Sequence, residues 1–196
     1  TIESQSIGST ISNEMRSNAV KALIVACIFM LFYIWFRFKD IRFAGSAIIA
    51  LVHDVLVMLT GYALIRISVG NTFIACVLTI VGYSINDTIV IFDRIRENMQ
   101  GMKKQTPETL AEVANRSLTQ TLSRSLNTSI TTIIMVLLLF ILGVSSIREF
   151  ALPLMIGLIS GTYSSIFIAA ALWYVMKLHL GKDKLMKTAA AKTKKK

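Results

Sequence analysis

Four ionisable residues lie within otherwise apolar stretches of this sequence: His53, Asp54, Asp87 and Arg124. A charge at the centre of a bilayer costs about 2.5 kcal/mol or more, so such side chains face a protein interior or a wet cavity. Two carboxyl groups and a guanidinium at different depths in a membrane could accept and release protons in turn. These residue types therefore suggest proton transfer, provided that the stretches carrying them cross a membrane.

The composition indicates that they do. Of the 196 residues, 54% are hydrophobic and 16% are charged, whereas a soluble domain carries about 25% charged residues. A soluble fold would expose more apolar surface than it could bury, and a disordered chain would be poorer in apolar residues. Both classes are excluded, which leaves an integral membrane protein.

Five stretches reach the length of about 20 mostly apolar residues that a bilayer-crossing helix needs. We therefore predict an all-α integral membrane protein with a transmembrane domain, 19–178, between an external segment, 1–18, and a basic cytoplasmic tail, 179–196. The predicted spans cover residues 19–36, 43–65, 70–92, 122–145 and 149–177.

The basic residues predict the orientation of these spans. All but Arg16, Lys21, Arg66 and Arg148 of the 21 Lys and Arg residues fall on the side that holds the C-terminus. Since Lys and Arg accumulate in cytoplasmic loops, we expect the C-terminus in the cytoplasm and the N-terminus outside. An external N-terminus suggests a piece of a longer polypeptide, with an anchor and an external domain before Thr1. The basic tail lacks interleaved aromatic residues, so it is expected to be solvated or to meet lipid head groups rather than nucleic acid.

The longest polar segment, 93–121, connects the third and fourth spans. Thr106, Pro107 and Glu108 are typical of a helix start, with a hydroxyl cap, a proline in the first turn and an early acid. The spacing that follows predicts an amphipathic helix on the cytoplasmic surface. Its inner face would consist of Leu110, Val113, Ala114, Ser117 and Leu118.

Asp87 and Arg124 are predicted at similar depth. Asp87 lies about 7 to 8 Å from the cytoplasmic end of the third span, at about 1.5 Å per residue, and Arg124 opens the antiparallel fourth span. Asn127, Thr128 and Thr131 continue from Arg124 as one polar stripe at helical spacing. An arginine at a span entrance also serves as a topology anchor, and a buried acid also serves as a structural hydrogen-bonding group. We expect the two to form an ion pair that a proton disrupts.

Asp54 lies deeper, near the middle of the second span, and is the third candidate for proton coupling. His53 precedes it, but neighbours in sequence do not share a helix face. We therefore expect His53 to be a structural hydrogen-bonding residue rather than a relay. The other polar residues expected to support the acids are Ser84, Asn86, Thr88, Asn127 and Thr128.

The sequence holds no pattern for covalent catalysis or cofactor binding. Cys27 and Cys76 lie on different spans, and no His/Cys cluster has the spacing of metal ligands. We therefore expect neither an enzyme nor a bound cofactor or metal. Small residues on one face of the fifth span are expected to form a helix-packing surface. They are Gly157, Ser160, Gly161, Ser164 and Ser165.

The run VGYSINDTIVIFDRIREN, residues 81–98, resembles the SecF protein-export membrane proteins and the SecF half of fused SecDF proteins. Segments 33–38, 50–54 and 122–125 resemble the same family and keep its order. The sequence departs from the family at Ser9, where a proline is common, and it lacks the family's first span and nearly all of its external domain.

The resemblance implies an RND-like half-transporter in the bacterial cytoplasmic (inner) membrane that couples the proton-motive force to preprotein export. It implies SecD, the SecYEG translocon, YajC and YidC as partners, besides preproteins and membrane lipids. It links Asp87 and Arg124 to proton conduction and gives Asp54 a weaker candidate role. Two alternatives stay open: an RND-type exporter of small molecules or lipids, and a non-transporting scaffold of the translocon.

Overall fold

A computed structural model describes residues 9–67, 71–100, 102 and 106–179. Within these ranges the chain forms five long helices, each apolar over a stretch long enough to cross a membrane. They are α1 (Ser9–Phe38), α2 (Ile41–Ile65), α3 (Asn71–Gln100), α4 (Pro107–Leu142) and α5, which begins at Ser145, is π-helical over Ser164–Ala169 and ends at His179. The predicted fold class is confirmed. Residues 1–8 and almost all of the predicted basic tail lie outside the described residues.

The turns around α2 are set by local chemistry. Lys39 adopts the left-handed conformation (φ 54°), and the Asp40 carboxylate then caps α2 by accepting a hydrogen bond from the N–H of Arg42 at 3.1 Å. At the far end, Arg66 is also left-handed (φ 58°) and its N–H donates to the carbonyl of Tyr62. Short connections of this kind place successive helices side by side and antiparallel.

The amphipathic helix expected on the cytoplasmic surface is not a separate element. Thr106 does cap a helix at Pro107, but that helix continues without a break to Leu142 over 36 residues. At about 1.5 Å per residue this is far longer than the hydrocarbon core of about 30 Å. The amphipathic turns are therefore the protruding start of α4. Their predicted inner face is confirmed, since Leu110, Val113, Ala114 and Ser117 are buried and Leu118 is partly buried.

The fifth helix lies at the centre of the bundle, against α2, α3 and α4. Its small residues allow the backbones to approach closely, which is how membrane helices gain packing energy. A Cβ on Gly157 would overlap Cδ1 of Ile80 and lie 2.5 Å from its Cγ1. A Cβ on Gly161 would lie 3.1 Å from Cβ of Ser84. The small-residue face of α5 is therefore a packing surface against α3, as predicted.

Aromatic side chains close the end of the bundle that the charge distribution assigns to the cytoplasm. Phe43 stacks on Trp173 with 5.2 Å between ring centroids and contacts Phe92 at 4.9 Å. Phe38 meets the ring of Phe92 edge-on at 6.1 Å. All four rings are buried. This group, the aromatic cluster, joins α1, α2, α3 and α5.

Two ion pairs lie near the aromatic cluster. Arg37 of α1 pairs with Asp93 of α3 at 2.8 Å. Lys177 of α5 pairs with Asp40, in the turn before α2, at 3.2 Å. The second pair ties the far end of α5 to the start of α2, so the helix ends at this side of the bundle are fixed by charges as well as by rings.

Candidate functional site

Asp54 lies in the interior of the bundle, where α2 meets α3 and α5. Its exposed fraction is 0%. Ser84 of α3 donates a hydrogen bond to Oδ2 at 2.6 Å, and Ser164 of α5 donates to the same oxygen at 2.6 Å. Ser160 of α5 donates to Oδ1 at 2.9 Å. Three helices thus meet at one carboxylate. The serines of α5, expected to serve packing alone, also supply its donors.

His53 is the fourth contact of Asp54, so the structure agrees with the expected hydrogen-bonding role of this histidine but not with the spacing argument against its pairing with Asp54. Nδ1 of His53 lies 3.2 Å from Oδ1 of Asp54. The Cβ atoms of neighbouring residues on a helix point in different directions, which is why no contact was expected. Both side chains are long enough to turn toward each other beyond Cβ. The His53 side chain remains 37% exposed, so it reaches from Asp54 to the surface of the bundle.

The four contacts match the hydrogen-bonding capacity of an ionised carboxylate, which accepts at about four lone-pair positions. Burying a charge is tolerated when it is fully hydrogen-bonded, and very costly otherwise. A protonated Asp54 would instead be a donor, so one of its contacts would have to reverse or leave. The arrangement is therefore sensitive to a single proton.

A second hydroxyl pair lies beside this carboxylate. Thr88 of α3 and Ser165 of α5 share a hydrogen bond at 2.9 Å, and Ser165 also donates to the carbonyl of Ser84 at 3.2 Å. The π-helical segment of α5 begins at Ser164. Single π turns within α-helices occur mostly at functional sites. Here the wide turn brings the consecutive residues Ser164 and Ser165 to the same interior site.

Asp87 points from α3 toward α4 and is partly buried. Ser125 of α4 donates a hydrogen bond to its Oδ1 at 2.5 Å. Its Oδ2 is buried and has no hydrogen-bond partner among the described residues. The carboxyl group therefore has one strong contact and one oxygen without a donor.

Ser125 belongs to a row of hydroxyl side chains along α4. Ser129, one turn beyond Ser125, shares a hydrogen bond with Thr162 of α5 at 2.7 Å and accepts another from Tyr83 at 3.0 Å. Ser125 and Ser129 are buried. The sequence analysis missed this row, although Ser and Thr recur at every fourth position: Ser117, Thr121, Ser125 and Ser129.

Arg124 lies on the outside of the bundle. Its side chain is exposed, and it forms no ion pair with Asp87 in the part of the chain that the structure describes. Asn127, Thr128 and Thr131 are exposed as well, and so is Asn86 of α3. We call Arg124, Asn127, Thr128 and Thr131 the outer stripe. Of the residues expected to support the acids, Ser84 and Thr88 are therefore interior, and Asn86, Asn127 and Thr128 face outward.

Nothing in the described ranges groups three or more metal-binding side chains together. The bundle instead offers two buried carboxyl sites, each joined to hydroxyls on a neighbouring helix. Such groups can hold and pass protons without covalent chemistry.

Residues 1–179 match the family described as protein export membrane protein SecD/SecF, C-terminal. The chain belongs to this SecD/SecF family. It is 48% identical over 172 residues to the protein translocase subunit SecF of Alicyclobacillus acidocaldarius, covering 88% of this chain and 56% of that protein. It is 43% identical over 171 residues to the protein translocase subunit SecDF of Bacillus subtilis, covering 87% of this chain and 23% of that protein.

Solved structures of the SecD/SecF family have the same fold. The crystal structure of SecDF from Thermus thermophilus, described as a translocon-associated membrane protein, is 45% identical and superposes with a TM-score of 0.79 over 87% of this chain and 23% of that chain. A SecDF structure in a super-membrane-facing form gives a TM-score of 0.79 over 92% of this chain at 43% identity. The chain thus spans about half of the SecF relative and about a quarter of the SecDF proteins.

Proposed function

We propose that this chain is the membrane part of a SecF protein that, together with SecD, couples the proton-motive force to preprotein export. The observation that carries the proposal is Asp54: a carboxylate without exposed surface, held by hydroxyls of two other helices and by an imidazole. Family membership supports the export function, and the buried carboxyl groups support the coupling to protons.

A proton at Asp54 would change how three helices are held. The ionised group accepts from Ser84 and Ser164 through Oδ2. Once the carboxyl group is protonated, one oxygen becomes a donor and the other a weaker acceptor, so one of the serine contacts must reverse or leave. Ser164 has a second acceptor, the carbonyl of Gly161 at 3.2 Å, and can leave Asp54 without losing its hydrogen bond. The α2–α5 contact then loosens, which is a route from proton binding to helix movement.

Asp87 would act in the same way between α3 and α4. The hydrogen bond from Ser125 connects the two helices, and Oδ2 of Asp87 is available to take a proton. In the proposed cycle, the proton makes Asp87 neutral, and the hydrogen bond from Ser125 weakens because its acceptor is no longer charged. The two acids thus control two helix contacts, α2 with α5 and α3 with α4.

Arg124 is proposed to act toward SecD, besides the effect of its charge on the nearby Asp87 carboxyl group. An arginine within a membrane span that faces lipid is costly, and the outer stripe places three further polar side chains beside it. A protein partner with an acidic or hydrogen-bonding surface would remove this cost. The relatives named SecDF support SecD as that partner.

The remaining assignments follow from the family and the charge distribution. We propose a multi-pass location in the bacterial cytoplasmic membrane, with the C-terminus in the cytoplasm, because basic residues dominate that side. SecYEG, YajC, YidC and preproteins are proposed partners of the whole assembly. The chain is proposed to move protons and to catalyse no covalent reaction.

The test uses the full-length protein with SecD and the translocon in membrane vesicles. Asp87→Asn and Asp54→Asn should each reduce gradient-dependent preprotein export at least tenfold, with proton uptake falling in parallel. Asp93→Asn is the matched control, because Asp93 lies on the same helix as Asp87 but in an exposed ion pair with Arg37. Unchanged export and proton uptake in both test variants would refute the proposal.

The same experiment separates the two alternatives. A scaffold of the translocon predicts normal export after Asp87→Asn and Asp54→Asn, as long as the complex still assembles. An RND-type exporter of small molecules or lipids predicts that the variants lose proton uptake while preprotein export is unaffected. Parallel loss of both activities is the result that the proposed function requires.

A further inference from the structure

We propose that His53 is the relay through which protons reach Asp54, an inference that rests on the proposed proton-coupled function. Asp54 has no exposed surface, and the hydroxyls of Ser84, Ser160 and Ser164 bonded to it are buried too. His53 is its remaining contact among the described residues, and 37% of the His53 side chain is exposed. The imidazole therefore touches both the carboxylate and the surface of the bundle.

The geometry allows a balanced two-step transfer. In the proposed transfer the ring begins neutral with its proton on Nδ1, and a hydronium ion admitted beside the exposed edge of His53 gives a proton to the lone pair of Nε2. The Nδ1–H bond then breaks and an O–H bond forms at Oδ1 of Asp54, 3.2 Å away, while the electron pair of the N–H bond stays on Nδ1. The net result is one proton moved from water to the carboxyl group.

The surroundings favour His53 over any other route to Asp54. The Asp54 carboxylate accepts hydrogen bonds from Ser84 of α3 and from Ser160 and Ser164 of α5. The groups that these two helices place against Asp54 therefore carry no charge. Asp87, the other acid of the interior, is bonded to Ser125 of α4. Asp54 is thus the charged group that His53 contacts within the described ranges. Imidazole is also the side chain whose ordinary pKa, about 6.5, allows it to gain and lose protons near neutral pH.

The deciding variant is His53→Asn. The asparagine amide nitrogen can take the place of Nδ1 and donate to Asp54, but it cannot carry a proton onward. In vesicles that contain the full-length protein, SecD and the translocon, a relay predicts at least a tenfold loss of proton uptake. The dependence of uptake on pH should also change. In His53→Ala, imidazole added to the medium should restore uptake, which a purely structural histidine would not show.

The chain offers a matched control, because its other histidine, His179, lies exposed at the end of α5. His179→Asn should leave proton uptake unchanged. Normal uptake and an unchanged pH profile in His53→Asn would overturn the relay and leave His53 as a hydrogen-bond donor. If Asp54→Asn and Asp87→Asn also retained uptake, the proposed function itself would fail. Failure of the relay alone is recognised by loss of uptake in the aspartate variants but not in His53→Asn.

Discussion

Replacing Gly157 with alanine should push α5 away from α3 and weaken the fold. The added Cβ would overlap Cδ1 of Ile80 and lie 2.5 Å from Cγ1, and Ile80 has no exposed surface into which it could move. Overpacking a buried site costs about 1 to 3 kcal/mol, and alanine in place of glycine in a helix returns up to about 1 kcal/mol. Since the overlap is severe, we expect a net loss of about 2 kcal/mol in the free energy of unfolding.

The measurement is denaturant unfolding of the purified protein in detergent, followed by circular dichroism. Gly82→Ala is the matched control, because Gly82 is an exposed glycine within α3 and a Cβ there would meet no atom within 4 Å. This control should be neutral or stabilising by up to about 1 kcal/mol. Gly157→Ala should also reduce export, because Ser160 and Ser164 can no longer keep their distances to Asp54 when α5 moves.

A double-mutant cycle decides whether the cause is the contact with Ile80. Ile80→Ala removes the atoms that the new Cβ would strike. In that background Gly157→Ala should cost nothing or stabilise the protein, so the coupling between the two sites should be about 2 kcal/mol. Equal destabilisation by Gly157→Ala in both backgrounds would refute the packing argument.

Two further predictions concern the ends and the outside of the bundle. Asp40→Asn keeps the helix cap but loses the ion pairs with Lys177 and Arg42, so it should cost at most about 1 kcal/mol. Asp40→Ala loses both and should cost about 1 kcal/mol more in the same unfolding assay. Arg124→Ala should change the stability of this chain by less than about 0.5 kcal/mol, yet abolish gradient-dependent export with SecD. A large loss of stability without SecD would contradict the outward position of Arg124.

The sequence was sufficient to predict the five spans and their order. A run of about 20 apolar residues is a local property, and the bilayer requires it whatever the tertiary contacts are. The continuity of α4 was not predicted, because near 122 its amphipathic, charged start gives way to a stretch with the length of a membrane span. That change marks where the helix enters the membrane and does not interrupt its backbone.

The sequence predicted the two acids of the site but not the residues that donate hydrogen bonds to them. Depth along a helix follows from residue counting, and it placed Asp87 and Arg124 at the same level. Rotation about the helix axis does not follow from depth, and it places Ser125 rather than Arg124 next to Asp87. The four-residue spacing of the hydroxyl residues on α4 is the sequence signal that could have indicated Ser125 as the partner of Asp87.

The serines of α5 show a different limit of sequence reasoning. A small polar residue in a membrane helix serves close packing or hydrogen bonding, and the choice depends on what lies opposite. Ser160 and Ser164 lie opposite Asp54, which belongs to a helix more than a hundred residues earlier in the chain. Only the tertiary structure brings these groups together.

The aromatic cluster has an electrical consequence. Its four stacked and tilted rings fill one end of the bundle with material of low polarity. Moving one charge through the full membrane potential is worth about 2.3 kcal/mol per 100 mV. Apolar rings offer a proton no group to bind, so the cluster separates the interior acids from this side of the bundle.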